Sequence, residues 1–346
     1  VAAMNVPVLE ISRAVLQSNI AAVRAQIAPS ELMLVMKDDA YGHGVEWTVD
    51  GASDVSWFGS YDIASALRIR ARREDARVYA WATSTDAETA QAIEARIDLG
   101  VGTLPYLRRV IAQAERLGAA ARVHLKIDTG LHRNGVRPED WAAFVAEARA
   151  AERRGVLAVV GVWSHLAEAS DAEDDDAALE FRAAVQSLRD VGGEPEALHL
   201  TASAASWWRP ELRGTLSRVG AFCYGIRSAD GPQIPGVVPV AELCADVLSV
   251  RGDVAEIGIG AFDGLPSTVA GADIGTPAGA RMLREIGAMS SFVETWPGAS
   301  EGDRVTVFGR GSQGEQDATS LAERIGTVGE EILLRLTPRV QRVEVD

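Results

Sequence analysis

Residues 32–44 read LMLVMKDDAYGHG. Five apolar residues, Leu32 to Met36, make a run as long as one buried strand; Lys37 closes it, and a polar turn punctuated by glycine follows. The same grammar recurs down the chain. Short runs rich in Val, Ile, Leu and aromatic residues fall at SWFGS (56–60), RVYAWA (77–82), IDLGV (97–101), RVHLKI (122–127), AVVGVW (158–163), ALHLT (197–201) and RVGAFCYG (218–225). Amphipathic stretches of helical period separate them, such as AEARAAERRG after Asp140 and LEFRAAVQSLRDVGG (179–193). Strands alternating with helices predict a parallel sheet, and eight such units predict closure into a (β/α)8 TIM barrel. A doubly wound open sheet is the alternative; the lack of a GxGxxG after the first strand weakens a dinucleotide-binding version of it.

The texture changes after GPQIPGVVP (231–239), a Pro/Gly linker signal. Short β-like runs follow (ADVLSVRG, VAEIGIGAF, REIGAMSSF, RVTVFG), with one helical stretch at SLAERIG (320–326). We expect a barrel over residues 10–230 and a smaller, mostly-β C-terminal domain over 231–346, joined by an N-terminal strand within residues 1–9. The acidic run DAEDDD (171–176) reads as a solvated loop or helix start.

A net charge of −15 repels nucleic acid and anionic membranes, and no basic patch offsets it. No apolar run is long enough to span a bilayer, and the N-terminal stretch lacks a secretory pattern, so a cytoplasmic protein is expected. The only two cysteines, Cys223 and Cys244, have neither metal-ligand spacing nor a disulfide framework; they read as buried thiols, and no metal is expected.

Of 34 basic residues, 32 are Arg; the two lysines are Lys37 and Lys126. An amine can lose its proton and form an imine or a carbamate, which a guanidinium cannot. In a barrel, reacting groups sit at the C-terminal ends of strands. Lys37 ends LMLVM there, although a snorkelling surface lysine is the bland reading. Tyr41, in YGHG, sits on a turn that can return its hydroxyl to the site. Lys126 and Asp128 end RVHLKI, with Arg133 further along KIDTGLHRNG; a structural Asp–Arg pair is the alternative. Ser164 and His165 follow AVVGVW, where a packed histidine is equally acceptable. LTASAAS (200–206) opens a helix whose hydroxyls and free N–H groups suit a phosphate, unless Thr201 or Ser203 is simply an N-cap. Arg218, Gly220 and Tyr224 belong to the last unit.

Five of these stretches, in order, match one family. VMKDDAYGHG (35–44), KIDTGLHRNGV (126–136), WSHLAEASD (163–171), HLTASAAS (199–206) and SRVGAFCYG (217–225) resemble the motifs of bacterial alanine racemases, and TVGEEILLRLTPRVQRV (327–343) resembles that family's C-terminal end. The resemblance covers essentially the whole chain. It implies a pyridoxal 5'-phosphate (PLP) enzyme in which Lys37 is the Schiff-base lysine and one catalytic base. Tyr41, Ser203, Gly220 and Ala221 would bind the phosphate, Arg218 would face the pyridine nitrogen, and His165 would lie near the ring. Arg133 would reach the cofactor's phenolic oxygen and the substrate carboxylate, oriented by Lys126, whose counterpart is often carbamylated in the family. Met289 would line the substrate site. A homodimer is implied, because family members complete the site across subunits.

The chain departs from the family in its C-terminal part. The second base of these racemases is a tyrosine in a Ser-Tyr-Gly motif, yet LCADVLSVRGDVAEIGIGAFDG (243–264) lacks that motif and no tyrosine follows Tyr224. Ala261 stands at the entrance tyrosine, Ser290 at a usual acid, and Ala202 where Asn is common. The leading expectation is an alanine racemase. A one-base PLP enzyme acting on another amino acid, or a PLP-binding homologue without turnover, stays open.

Overall fold

The computed structural model describes residues 6–346. The part of the expected N-terminal strand segment that falls on residues 1–5 lies outside the described residues. The chain divides into two compact units: Val23–Ala40 with Gly44–Gly220, and the stretch ending at Ala22 with Tyr41–His43 and Ala221–Asp346.

After β1 (Val8–Ile11), eight strands build the first unit: β2 (Glu31–Val35), β3 (Trp57–Ser60), β4 (Arg77–Ala80), β5 (Asp98–Val101), β6 (Ala121–Lys126), β7 (Leu157–Trp163), β8 (Ala197–His199) and β9 (Leu216–Val219). They form one parallel sheet in the order β8-β7-β6-β5-β4-β3-β2-β9, buried on both faces, as their near-continuous apolar runs require. The ends of the sheet meet at β8 and β9, giving a nearly closed (β/α)8 barrel. At this seam Arg218 N donates to Thr201 O at 3.2 Å. Leu198 N donates to Thr215 Oγ1 at 2.9 Å, and that hydroxyl donates to Glu196 O at 3.0 Å. A Cβ on Gly214 would lie 1.9 Å from Leu198 O, so the seam closes only over a glycine.

Local chemistry sets the helices between strands. Thr85 caps Asp86–Glu94 in a reciprocal box with Glu88. Thr103 caps Leu104–Leu117, which ends on left-handed Gly118. The acidic run is the start of helix Asp171–Asp190, capped by Ser170, where negative charge suits the helix dipole. One expectation is corrected: RVGAFCYG is not a single strand. The strand stops at Val219, and Ala221–Tyr224 is a 3-10 turn. The ladder ends because Gly220 N turns to the Ser203 hydroxyl, at 3.2 Å, instead of to a neighbouring strand.

Directly after Lys37 the backbone reverses hand. Asp38, Asp39, Ala40 and Tyr41 have φ of 53°, 51°, 56° and 54°. Left-handed helix costs an L-residue roughly 1–2 kcal/mol, so four in succession must be held by their surroundings. Asp39 does much of this: its carbonyl accepts from Gly44 N at 2.8 Å, its carboxylate accepts from Val45 N at 3.2 Å, and Arg68 pairs with it at 2.9 Å.

The second unit contains β1 with β10 (Ala241–Arg251), β11 (Val254–Ile257), β12 (Asp273–Thr276), β13 (Gly279–Ile286), β14 (Ser291–Glu294), β15 (Arg304–Phe308) and β16 (Gln341–Glu344). The order β11-β14-β13-β12-β15-β10, with β10 also paired to β11, closes six antiparallel strands on themselves. β1 extends this sheet from β10, and β16 pairs parallel to β1. Leu243, Val247, Ile257, Leu283, Val293 and Val305 fill its interior. Among the described residues no helix is long and apolar enough to cross a membrane.

The barrel seam makes a stability prediction. Gly214→Ala forces a methyl group against the Leu198 carbonyl, an overpacking cost of about 1–3 kcal/mol. The thermal unfolding midpoint should fall by about 2–4 °C per kcal/mol. An unchanged midpoint in scanning calorimetry would contradict the tight seam.

Candidate active site

Strand alternation selects what faces the barrel interior. It puts Asp98 and Gly100 of β5, His124 and Lys126 of β6, and Gly161 and Trp163 of β7 on one face. Small and large residues then complement each other. His124 lies level with Gly100 on one side and Gly161 on the other, and a Cβ on Gly161 would stand 2.2 Å from His124 Nδ1. Tyr79, Trp163, Trp57 and Met33 complete this layer. The interior is aromatic and polar where most barrels are aliphatic.

Arg218 is the centre of the arrangement. It is buried, and among the described residues no carboxylate touches it. Nη1 donates to His199 O at 2.7 Å and to His199 Nδ1 at 3.0 Å. The two N–H bonds of Nη2 are shared among Ser164 O at 2.8 Å, Leu200 O at 3.1 Å and His165 Nδ1 at 3.1 Å. The guanidinium carbon lies 5.3 Å from the centre of the Trp163 ring. Burial pulls the Arg218 pKa down to about 10, which leaves it charged at neutral pH. These bonds engage both Nη groups and leave Nε–H unused.

A guanidinium only donates, so it dictates the state of its partners. His165 Nδ1 must accept, which places that ring's single proton on Nε2. Burial, followed by the charges of Arg218, Arg133, Lys126 and Lys37, pushes the His165 pKa down to about 3. The ring is therefore neutral. His199 is held the same way and is pushed well below its ordinary value, by burial first and then by His124 and Arg218.

Lys126 is 4% exposed, with Nζ 4.3 Å from the Trp163 ring centre, so one indole faces two cations. Burial, then Arg218 and Arg133, lower its pKa to about 7. An amine lowered this far gives up its proton more readily near neutral pH, and the unprotonated form is the nucleophile. Lys37 is half-buried at the end of β2. The loop after β6 winds around Asp128, whose carboxylate accepts from Gly130 N at 3.2 Å and His132 N at 3.0 Å and meets His132 Nδ1 at 3.0 Å. The structural partner of Asp128 is thus His132, and the alternative of an Asp128–Arg133 pair fails. Arg133 is exposed and makes no ion pair among the described residues. Ser164 Oγ donates to Ile127 O at 2.8 Å and pins the start of this loop to β7.

The helix Ser203–Trp208 has Ala202 at its N-cap without a side-chain cap bond, so neither Thr201 nor Ser203 caps it. Thr201 instead accepts from Ser206 Oγ at 2.8 Å, and Ser203 Oγ accepts from Gly220 N at 3.2 Å. The Ser203 hydroxyl and the Gly220 N–H thereby meet between the ends of β8 and β9.

Lys37, Lys126, Arg133, His165, Ser203, Arg218 and Gly220 all belong to the barrel unit. Tyr41, Ala221 and Met289 belong to the other unit. There Tyr41 is buried with its ring 5.0 Å from that of Tyr224, and Met289 is 48% exposed on the turn between β13 and β14. Sequence reading did not single out Asp98, His124 and His199. Their signal was present: His124 stands two residues before Lys126 on an apolar strand and so shares its inward face. Both cysteines are buried thiols and no disulfide joins them. Among the described residues no cluster of His, Cys, Asp and Glu could hold a metal.

The family model described as "Alanine racemase, N-terminal domain" matches residues 11–228, and "Alanine racemase, C-terminal domain" matches 247–344. An alanine racemase of Thermobifida fusca is 33% identical over 358 residues, 95% of each chain. One of Beutenbergia cavernae is 34% identical over 361 residues, 94% of each chain. Among solved structures, the alanine racemase of D-cycloserine-producing Streptomyces lavendulae is similar with a TM-score of 0.92 and 29% identity, covering 99% of this chain and 97% of that one.

The neutral buried histidines predict acid lability. Unfolded, an imidazole takes up a proton below pH 6.5; folded, His165 resists until about pH 3. The unfolded state then binds more protons, so stability falls as pH drops through 6.5. From pH 7.5 to 5.5 the share of His165 alone is about 1.4 kcal/mol. Urea midpoints should fall over that interval, and by less in His165→Gln. Equal slopes in the two proteins would refute a neutral His165.

Proposed function

The chain belongs to the alanine racemase family, and on that premise we propose that it interconverts L-alanine and D-alanine with PLP as cofactor. One observation carries the reading: a buried guanidinium with a spare Nε–H, in the same barrel as a strand-end lysine and a hydroxyl–amide cradle. The donor set fits this cofactor. The cradle of Ser203 and Gly220 suits a phosphate. The Arg218 donor suits a pyridine nitrogen, and Lys37 suits an aldehyde. When bound, PLP supplies an electron-withdrawing ring that loosens the substrate's Cα proton.

Each residue then has a task. Lys37 anchors the cofactor and takes or returns the Cα proton on one face. Ser203, Gly220, the Ala221 N–H and the Tyr41 hydroxyl hold the phosphate. Arg218 would hold the ring nitrogen; a guanidinium keeps its own proton, so it would offer that nitrogen a hydrogen bond without protonating it. His165 stays neutral, lies by the ring and steadies Arg218. Arg133 receives the substrate carboxylate. Lys126, partly unprotonated, is suited to attack CO2, release its proton and leave a carbamate that orients Arg133. In this division the barrel binds the cofactor, and Met289 of the β domain is a substrate-site residue.

The same reading makes the protein a homodimer. On the β domain Phe262 N donates to Ala288 O at 2.9 Å, which sets Phe262 (64% exposed) on a loop bonded to the one that carries Met289. Two exposed apolar side chains on joined loops suit an interface. A second reading, a one-base PLP enzyme, is favoured by one observation: no tyrosine follows Tyr224, and Ala261 and Ser290 stand at further altered positions.

Purified protein supplied with PLP should racemise either alanine enantiomer. Lys37→Ala should lower the rate by roughly a thousandfold or more and lose the visible absorbance the wild type gains with PLP. Solvent deuterium entering only one enantiomer, without racemisation, would support the one-base reading instead. Light scattering should report a dimer, and Phe262→Asp should weaken it; a monomer with full activity would overturn the shared site.

A further inference from the structure

We propose that Asp98 and His124, at the floor of the barrel, are positioning residues for Arg218, acting through His199. The inference rests on the reading that Arg218 serves the cofactor ring, and it extends the site to the opposite end of the barrel. Asp98 opens β5, and around it stand Arg122 of β6, Arg77 of β4 and Glu196 just before β8. All four are at N-terminal strand ends, away from the mouth.

Three contacts join the floor to Arg218. Asp98 Oδ2 lies 3.3 Å from His124 Nε2. His124 Nδ1 lies 2.8 Å from His199 Nε2, and His199 Nδ1 lies 3.0 Å from Arg218 Nη1. Asp98, His124 and His199 are at most 2% exposed, so water does not substitute for any link.

The two ends fix every proton between them. Arg218 can only donate, so His199 Nδ1 accepts and its proton sits on Nε2. That N–H donates to His124 Nδ1, which leaves the His124 proton on Nε2. The last N–H donates to Asp98, and a carboxylate can only accept. Three bonds use three protons, all pointing toward the carboxylate. An added proton on either imidazole would set two donors against each other. Burial lowers the pKa of both rings in agreement with this count. Asp98 stays below its ordinary value: burial alone would raise it, and the bonds from His124 and Arg122 outweigh that. Asp98 thus supplies, through two neutral rings, the negative charge that no carboxylate provides directly to Arg218. Glycine at 100 and 161 leaves the space that His124 needs for this.

Labelling the five histidines with 15N gives a direct readout, independent of cofactor. In the wild type, His124 and His199 should both be neutral, with the proton on Nε2. Asp98→Asn replaces an obligate acceptor by an amide that can also donate, so both rings should shift toward mixed tautomers while His43 and His132 keep their signals. In the PLP-loaded enzyme the same variant should lower kcat by about tenfold and leave KM within about twofold. Wild-type rings carrying the proton on Nδ1 would overturn the proposal without any variant having to fold. So would an Asp98→Asn protein whose tautomers and kcat match the wild type. If the wild-type tautomers are as stated and Asp98→Asn scrambles them, but no PLP binds, the relay stands and the cofactor reading fails.

Discussion

The arrangement rests on one costly decision, which is to bury the Arg218 guanidinium without a carboxylate against it. A buried charge must be paired or richly hydrogen-bonded. Here the bonds come from three backbone carbonyls, at Ser164, His199 and Leu200, and from two imidazoles. Those carbonyls lie at the ends of two different strands, so the barrel must close in register before the cation is satisfied. The seam between β8 and β9 and the site are therefore one structural problem. A carboxylate in direct contact would hold the arginine more simply, but it would neutralise the charge. Dipoles and neutral rings leave it available.

That charge governs its surroundings. Burial is the first cause that keeps His165 and His199 unprotonated and depresses the amine of Lys126; the Arg218 charge adds to it at all three, joined by Arg133 at Lys126. A barrel interior filled with aliphatic side chains could not sustain this. Tyr79, Trp57 and Trp163 present polarisable ring faces and edges, and Trp163 stacks on His199 with an interplanar angle of 6° while serving two cations. The inward glycines are the counterpart of this bulk, because each large ring needs a vacancy on an adjacent strand.

Much of this was legible in the sequence because it is local. The strand ends at Lys37, Lys126 and His165, and the helix start after Thr201, are marked by a change of residue type within a few positions. The alternating texture gave the number of strands. What escaped reading was not local. His124 and His199 are 75 residues apart, and His124 and Asp98 are 26 apart, so no window joins them. Each alone reads as a polar residue in an apolar run, and only barrel closure sets them level. The over-long strand at RVGAFCYG fails for a related reason: an apolar run looks the same in a strand and in a buried 3-10 turn, and Gly220 is the single local sign of the break. At Asp128 the sequence suggested Arg133 as the structural partner, and the backbone path turned His132 to it instead.

Lys126 is sealed within the barrel, and Lys37 is the chain's only other lysine. All remaining positive side chains are guanidinium groups, which do not acylate under mild conditions. Among side chains, amine-directed reagents therefore find only Lys37, at the mouth of the barrel, within reach. For most proteins such reagents label at random. For this one, acylation, reductive alkylation or tethering through side-chain amines is site-directed by composition, and a label's attachment reports whether the barrel mouth is open or filled.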